Sequence, residues 1–296
     1  MAGIHTVGVV GAGIMGSGIA QVVAQSGYTV VVREAEQRLL DKGRQTIDRG
    51  LQRAVDKGRV TVEEKTGVLG RIRWTPGPGG SEGGRSGHRG DHRGPPAQAG
   101  ASFRAMDSLC PPSAIFVSNT SSISIISLAS VTARADRFAG LHFFNPVPLM
   151  KLVEVVRSIR TSEETFQAVS DFAVSLGKEP VAAKDHCGFI VNRLLVPYLL
   201  DAIRALEAGV ASTVDIDKAM RLGCNHPMGP LELADFVGLD TTCAIANIMF
   251  EEYREARYAP PPLLKKMVMA GYHGRKSDRG FYDYSGPTPQ PTDLGL

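Results

Sequence analysis

Apolar and polar positions are arranged in two different ways along the chain. Up to about residue 184, short apolar runs typical of buried strands, such as those at 5–10 and 29–32, are separated by segments with helical periodicity. From residue 185 onward the pattern is almost only helical, with a long first helix and further helices predicted at 213–222, 231–237, 239–256 and 263–270. We therefore predict an α/β domain over residues 1–184 and an all-α domain over residues 185–296.

A glycine-rich loop, GAGIMG at residues 11–16, joins the first predicted strand to a helix that ends near Gln25. Glycines at its first, third and sixth positions allow a tight turn, close approach of a pyrophosphate to the backbone, and close packing of helix on strand. A second strand follows and ends at an acid, and this context is typical of a Rossmann-like dinucleotide-binding domain. The predicted cofactor contacts in the loop are Gly11, Gly13, Ile14, Met15 and Gly16.

Glu34 is the acid at the end of the second strand. Its carboxylate is placed to accept hydrogen bonds from the adenosine ribose hydroxyls, which favours NAD because an acid repels a 2′-phosphate. Arg33 beside it could accommodate that phosphate, but alternation along a strand directs its side chain to the other face. The sequence therefore predicts NAD as the cofactor.

One apolar stretch carries the candidate chemistry. GLHFFNPVPLMKLVEVV, residues 140–156, holds one histidine and one glutamate in a strand-like run that the prolines of NPVP interrupt. If two strands meet at that break, His142 and Glu154 lie symmetrically about Pro148 and the carboxylate reaches the imidazole. Such a carboxylate fixes the tautomer and orients the ring, leaving the other nitrogen as a general base. The alternative is a core histidine with satisfied hydrogen bonds and an edge-strand charge.

Polar residues also follow a later strand, predicted at 114–119. Asn119 ends that strand and is a candidate cofactor contact. Ser121 and Ser122 lie just beyond it, where open α/β sheets collect ligands. A serine there could instead only cap the next helix.

Two more residues are candidates for substrate contacts. Asn192 lies early in the first helix of the second domain, where asparagine is unfavourable unless its amide bonds a specific partner, either substrate or backbone. Lys57 belongs to a segment, 36–72, that is predicted to be helical throughout, with a TVEE capping box at 61–64 starting its second piece. These two helices either project into solvent without a role in binding or supply cations to a large anionic substrate.

Composition narrows the function classes. A net charge of +3 does not indicate a nucleic-acid or membrane partner. The four cysteines are scattered without a CxxC pair, which predicts free thiols and no metal site. The chain enters a strand at once, and no run reaches the apolar length of a membrane span, so we expect a cytoplasmic protein.

Residues 77–102 differ from the sequence on either side, because they are rich in glycine and arginine at the place where the predicted fold requires a buried fourth strand. The segment could be a disordered linker, an RNA-binding tract without stacking aromatics, or an artefact. His88 and His92 would form a metal pair only on a helix, which the glycines disfavour. Back-translation with GC-rich codons, read one base over, gives approximately DLEALRGADLVIEATIEDPQLKQEL, which contains a buried strand between two helix starts. We therefore favour compensating frame errors near 77 and 102 in the gene or its sequencing.

Several long motifs in order resemble the L-3-hydroxyacyl-CoA dehydrogenases, particularly the bacterial 3-hydroxybutyryl-CoA type. They are the glycine-rich loop, SNTSS, GLHFFNPVPLMKLVEVV, KDHCGFIVNRLL, HPMGPLELADFVGLD and GRKSDRGFYDY. The resemblance implies an NAD-binding domain, a helical domain that holds much of a homodimer interface, and acyl-CoA bound between them. It implies His142 as the base, Glu154 as the residue that holds the imidazole, and Ser121 and Asn192 as hydrogen-bonding partners of the substrate oxygens.

The resemblance also identifies a departure. The family has a glutamate at the end of its fourth strand and a lysine a few residues on, both near the nicotinamide ribose, where this chain has Gly94 and Ala99. The shifted frame restores both within about a residue. The printed residues predict a poorly formed strand and badly weakened NAD binding, whereas a sequence error predicts an ordinary enzyme.

The hypothesis from sequence is an enzyme of fatty-acid β-oxidation type that oxidises (S)-3-hydroxyacyl-CoA to 3-oxoacyl-CoA with NAD. Two alternatives remain open. One is a sister dehydrogenase acting on a free 3-hydroxy acid, and the other is a nucleotide-binding relative that has lost turnover.

Overall fold

The computed structural model of the chain describes residues 4–77 and 95–295, without the side chains of residues 95–98. The chain divides into two compact units between Asp185 and His186. The boundary expected from sequence lies between residues 184 and 185. The predictions that concern His88, His92 and Gly94 fall outside the described residues.

The first unit contains two sheets flanked by helices. Its elements are β1 Thr6–Val10, α1 Ile14–Gln25, β2 Thr29–Glu34, α2 Gln37–Asp56, α3 Val62–Gly70, β3 Ile72–Pro76, α4 Pro95–Leu109, β4 Phe116–Ser118, α5 Ile125–Ala129, β5 Phe138–Phe143, β6 Leu152–Arg157, α6 Glu163–Ser175 and β7 Glu179–Lys184. One sheet has the order β1-β2-β3 with all pairs parallel. The other has the order β4-β5-β6-β7, in which only the β5–β6 pair is antiparallel.

Local signals explain several of these boundaries. The segment 36–72 is not helical throughout, because α2 ends at Asp56 and α3 begins only at Val62. The predicted capping box is confirmed, since the Thr61 hydroxyl accepts from the Glu64 amide at 3.1 Å and the Glu64 carboxylate accepts from the Thr61 amide at 2.8 Å. Helix α4 begins at Pro95, a residue type that is tolerated in the first turn of a helix.

A single apolar core runs through the first unit. It joins β1, β2, α1 and α2 to β5 and β6 through buried side chains such as Val30, Val32, Leu51, Leu141 and Val155. Strand β5 is buried at all six positions, which explains its near-continuous apolar sequence. A histidine on this strand is therefore placed inside the core rather than on the surface.

The second unit is helical, as predicted, apart from one short pair of strands. Its elements are α7 Val191–Glu207, α8 Thr213–Gly223, α9 Pro230–Val237, α10 Leu239–Tyr253, α11 Pro262–Met269, β8 Tyr282–Asp283 and β9 Gln290–Pro291. The hydroxyl of Ser212 caps α8 by accepting from the Asp215 amide. Helix α10 stops short of the predicted residue 256, because Arg254 adopts a left-handed conformation with φ of 54°.

A membrane-spanning helix must be both long and apolar. Within the described parts of the chain, no single helix is both long and apolar enough. The pair α9 and α10 reaches the required length and apolarity only together, and it bends by 92°.

Candidate active site

The glycine-rich loop has the geometry that its sequence predicts. Gly11 has φ of +101°, which suits glycine, and its amide donates to the carbonyl of Arg33 at 2.8 Å. A side chain on Gly16 would meet the Gly11 carbonyl oxygen at 1.9 Å, so helix α1 packs closely under the turn only with glycine there. No atom lies within 4 Å of the position that a Gly13 side chain would take, and this space is what an approaching phosphate needs.

Helix α1 begins directly at this loop. Its N-terminal residue Gly13 provides no side-chain cap, so the first-turn amides are left for another acceptor such as a phosphate. Ile14 is the first helical residue and is 73% exposed, whereas Met15 packs against the core of the unit. Of these two candidate contacts, Ile14 presents a large surface at the loop and Met15 presents a smaller one.

Glu34 lies next to the same loop. One of its carboxylate oxygens accepts from the Ala12 amide at 3.0 Å, and the other accepts from the Ala35 amide at 2.8 Å. The carboxylate is thus fixed at the end of β2, where a ribose diol would be held. The Arg33 guanidinium lies beside Gly77 instead. These residues fit a dinucleotide without a 2′-phosphate.

His142 and Glu154 form a buried pair across strands β5 and β6. They are register partners in the antiparallel ladder, which confirms the pairing expected from their spacing about Pro148. The Nδ1 atom of His142 lies 2.6 Å from a carboxylate oxygen of Glu154, and the two residues are 6% and 0% exposed. A carboxylate accepts only, so the proton lies on Nδ1, and in the neutral ring Nε2 then carries the lone pair. The arrangement suits Nε2 as a general base.

Two further contacts involve the residues that follow His142 in the chain. The Phe144 ring lies with its centroid 4.5 Å from the imidazole centroid. Asn119, just after β4, accepts from the Phe143 amide at 2.8 Å through its side-chain oxygen. This bond ties the end of β4 to the residue next to His142, a role that the sequence did not reveal.

Ser121 lies in the loop between β4 and α5 and is partly buried. The Thr120 hydroxyl orders this loop by accepting from the amides of Ser122 and Ile123. Asp185 closes it at the other end, because its carboxylate accepts from the amides of Ile125 and Ile126, each at 2.7 Å. No local pattern in the sequence indicates this role of Asp185, because the residues it caps lie about 60 positions away along the chain.

The remaining candidates lie on other elements of the chain. Lys57 is the exposed C-cap residue of α2. Asn192 lies in the first turn of α7, in the second unit, and is partly buried. Ala99 lies within α4. Across residues 4–77 and 95–295, no three His, Cys, Asp or Glu side chains cluster in a way that could hold a metal ion.

One buried cation was also missed. Lys178, between α6 and β7, is 7% exposed, and its ammonium donates to the carbonyl oxygens of Val147 and Met150. Both carbonyls belong to the loop that joins β5 to β6. Sequence alone shows a lysine beside a strand, which is usually a solvated charge.

Comparisons with known proteins agree with this geometry. The family model described as "3-hydroxyacyl-CoA dehydrogenase, NAD binding domain" matches residues 6–78 and 100–186, and that described as "3-hydroxyacyl-CoA dehydrogenase, C-terminal domain" matches residues 188–284. The first match is interrupted where the Gly/Arg-rich segment lies.

Individual relatives match over nearly the whole length. The chain is 45% identical to the 3-hydroxybutyryl-CoA dehydrogenase of Bradyrhizobium diazoefficiens, with 98% of each chain covered. It is 47% identical to the crystal structure of Mycobacterium tuberculosis FadB2, covering 95% and 99% of the two chains with a TM-score of 0.87. The structure of (S)-3-hydroxybutyryl-CoA dehydrogenase from Ralstonia eutropha is 41% identical, with 96% and 100% covered and a TM-score of 0.86. The chain belongs to the 3-hydroxyacyl-CoA dehydrogenase family.

Proposed function

We propose that the protein catalyses the reversible NAD-dependent oxidation of (S)-3-hydroxyacyl-CoA to 3-oxoacyl-CoA, with a short-chain substrate such as 3-hydroxybutyryl-CoA. The observation that carries the proposal is the buried His142–Glu154 pair, at 2.6 Å, in the same unit as the dinucleotide loop. The family match and the names of the full-length relatives support the substrate class.

In the proposed reaction, oxidation at carbon 3 removes a hydride from carbon and a proton from the hydroxyl oxygen. NAD⁺, when bound, supplies the hydride acceptor. Nε2 of His142 takes the hydroxyl proton, and the ring becomes imidazolium. The Glu154 carboxylate holds the ring through Nδ1. It also stabilises this positive charge inside the core, where solvation by water contributes little. In the reverse direction the imidazolium returns the proton to the carbonyl oxygen.

Most of the proposed cofactor contacts lie along the glycine-rich loop, residues 11–16. Gly11, Gly13 and Gly16 shape it, the first-turn amides of α1 would bind the phosphates, and Ile14 and Met15 would contact the dinucleotide beside them. Glu34 binds the adenosine ribose, and Asn119 lies at the end of β4 next to the base.

The substrate contacts rest on the family resemblance and on position. Ser121 and Asn192 would bond the oxygen functions of the acyl group, and Lys57 would pair with the CoA phosphates. The exposed ammonium of Lys57, at the end of α2, is accessible for such an ion pair.

The proposal includes a cytoplasmic homodimer. The four cysteines are all free thiols, which is typical of a reducing compartment. The second unit exposes large apolar side chains, including Leu194, Leu222 and Met269, each more than 70% exposed, as surfaces that meet a partner often do. Light scattering after size exclusion and fractionation of the source cells test these two points.

Oxidation of NADH by acetoacetyl-CoA tests the function directly. We expect activity in the unmodified protein and a fall in kcat of about 10² to 10⁴ fold in His142→Gln, the usual contribution of general acid-base catalysis. The exposed His5→Gln is the matched control and should leave kcat unchanged. A His142→Gln protein with near-normal kcat would overturn the assignment of the base. Activity with free 3-hydroxy acids in place of the thioester would favour the sister-dehydrogenase alternative.

A nucleotide-binding relative without turnover remains the second candidate, because the family match is interrupted between residues 78 and 100. Isothermal titration with NADH separates the two functions. Tight NADH binding together with no oxidation of any substrate would support this candidate.

A further inference from the structure

Lys178 occupies an unusual place for a lysine. It is 7% exposed, and its ammonium donates to the carbonyl oxygens of Val147 at 2.6 Å and Met150 at 2.8 Å. Among the ion pairs formed within residues 4–77 and 95–295, none includes Lys178. Burial lowers the pKa of its ammonium below the usual range. A buried cation held by neutral carbonyls costs free energy, and methionine would fill similar space without that cost.

The two carbonyls lie in the segment 144–151, which joins β5 to β6. We call it the hairpin loop. His142 lies just before this loop and Glu154 lies just after it, in paired register. Inside the loop, the amides of Leu149 and Met150 both donate to the Pro146 carbonyl. Lys178 therefore bonds the same compact turn at two points.

The hairpin loop also contacts helix α1, which begins at the glycine-rich loop. Val147 is 2% exposed, and its Cβ lies 2.9 Å from the position that a side chain on Gly18 would take. Pro148 follows at 3.7 Å. Gly18 is on α1, close to the loop that forms the phosphate site. The hairpin loop thus contacts both helix α1 and the Lys178 ammonium.

We propose that Lys178 is a positioning residue for hydride transfer, which holds the hairpin loop so that the His142–Glu154 pair keeps its place relative to helix α1. The inference rests on the proposed function. Catalysis depends on this placement, because a misplacement of about 1 Å can lower the rate about 10² fold. A buried polar link of this kind supports a site without touching the substrate.

Lys178→Met tests the proposal, with Lys151→Met as the matched control. Lys151 lies in the same loop, but its ion pair with Glu179 is exposed on both sides. We expect Lys178→Met to lower kcat about 10 to 100 fold, with KM for NADH changed less than about threefold. Lys151→Met should leave both constants unchanged. A lysine with only a structural role would lower the melting temperature of Lys178→Met but leave kcat per folded molecule intact, and that result would overturn the proposal.

A spectroscopic measurement is independent of turnover. The Nδ1 proton of His142, in a 2.6 Å bond to Glu154, should give a downfield proton NMR resonance that Glu154→Gln removes. We expect this resonance to shift or broaden in Lys178→Met and to stay in place in Lys151→Met. An unchanged resonance in Lys178→Met would contradict the proposal. If the unmodified protein shows the resonance but does not oxidise NADH with acetoacetyl-CoA, the proposed function fails while this arm still tests Lys178.

A second variant covers the case in which Lys178→Met does not fold. Gly18→Ala places a methyl group against Val147 from the α1 side and leaves Lys178 intact. We expect kcat to fall while the dissociation constant for NADH stays within about threefold. If Gly18→Ala retains full kcat with the melting temperature of the unmodified protein, the position of the hairpin loop does not control turnover and the proposal is wrong.

Discussion

Glu154 is a carboxylate with no exposed surface, between Val153 and Val155, which are also fully buried. Burying a charge in such a place is unfavourable unless hydrogen bonds and an opposite charge compensate for it. The bond to Nδ1 of His142 supplies part of that compensation, and it becomes a full ion pair when the imidazole gains a proton. The Glu154 carboxylate is thus placed to pair with the imidazolium that general-base catalysis produces.

Glu154→Gln should impair turnover and leave cofactor binding intact. Glutamine can still accept a bond from Nδ1, but it has no charge to stabilise imidazolium, so we expect kcat to fall about 10 to 100 fold. The dissociation constant for NADH should change less than about twofold. The control is Glu163→Gln, on the exposed start of α6, where the glutamate pairs with Arg157 at the surface. Unchanged kcat in Glu154→Gln would show that the carboxylate only fills the core.

Glu34 is expected to set the choice of cofactor. Its carboxylate is fixed by the Ala12 and Ala35 amides at the end of β2, and an acid there repels a 2′-phosphate. In Glu34→Gln we expect the ratio of kcat/KM for NADH to that for NADPH to fall at least about tenfold. Glu36→Gln removes an exposed carboxylate two residues along the chain and should leave the ratio unchanged. A constant ratio in Glu34→Gln would assign cofactor choice to other residues.

Two buried aspartates fasten the C-terminal segment to the helices of the second unit. Asp235 on α9 accepts from the amides of Phe281 and Tyr282 and from the Tyr284 hydroxyl. Asp217 on α8 accepts from the Tyr282 hydroxyl and from two amides at the start of α9. Burial raises the pKa of Asp235 to about 6, helped by the charge of Asp217 and opposed by the bonds it accepts.

This raised pKa predicts a pH dependence of stability. Between about pH 4 and 6 the folded state keeps a proton on Asp235 that the unfolded chain releases. The contribution of this group to stability is therefore complete below about pH 4 and falls as the pH rises to 6, by up to about 1 kcal/mol per pH unit. Asp235→Asn should remove this slope from thermal unfolding measured across the same range. The exposed Asp278→Asn loses the same charge and should keep the slope. A slope that persists in Asp235→Asn would contradict the prediction.

Elements with local signals could be predicted from the sequence, and those fixed by distant contacts could not. The Thr61 and Ser212 caps mark helix starts because the bonded atoms lie three residues apart. The His142–Glu154 pairing follows from period-two alternation about a proline break. Asp185 and Lys178 act on residues about 60 and 30 positions away, so their contacts arise only after the chain has folded. The β8–β9 pair has only two residues in each strand, which is too short for an alternating apolar and polar pattern to predict it.

At the scale of the whole molecule, the first unit has a discontinuity in its sheet. Among the described residues, β1 pairs with β2 alone and β4 pairs with β5 alone. Apolar side chains on these two strands are exposed, with Val10 at 49% and Val117 at 37%. Parallel strands normally have both faces and both edges covered. The two edges therefore suit one further buried strand, and the family match is interrupted between residues 78 and 100.

The shifted reading frame supplies such a strand, so the two sequences predict different proteins. We compare the printed chain with one in which residues 77–101 are replaced by DLEALRGADLVIEATIEDPQLKQEL. The replaced chain should bind NADH at least about tenfold more tightly and melt at a higher temperature, because DLVIEA buries apolar side chains between β1 and β4. A control chain with the Leu, Val and Ile of DLVIEA changed to Ser should lose both gains. If the printed chain binds NADH as tightly as the replaced chain, the frame-error hypothesis is wrong. If protein made from the source gene has the printed intact mass, an error in the sequencing is excluded and the Gly/Arg-rich residues are present in the protein.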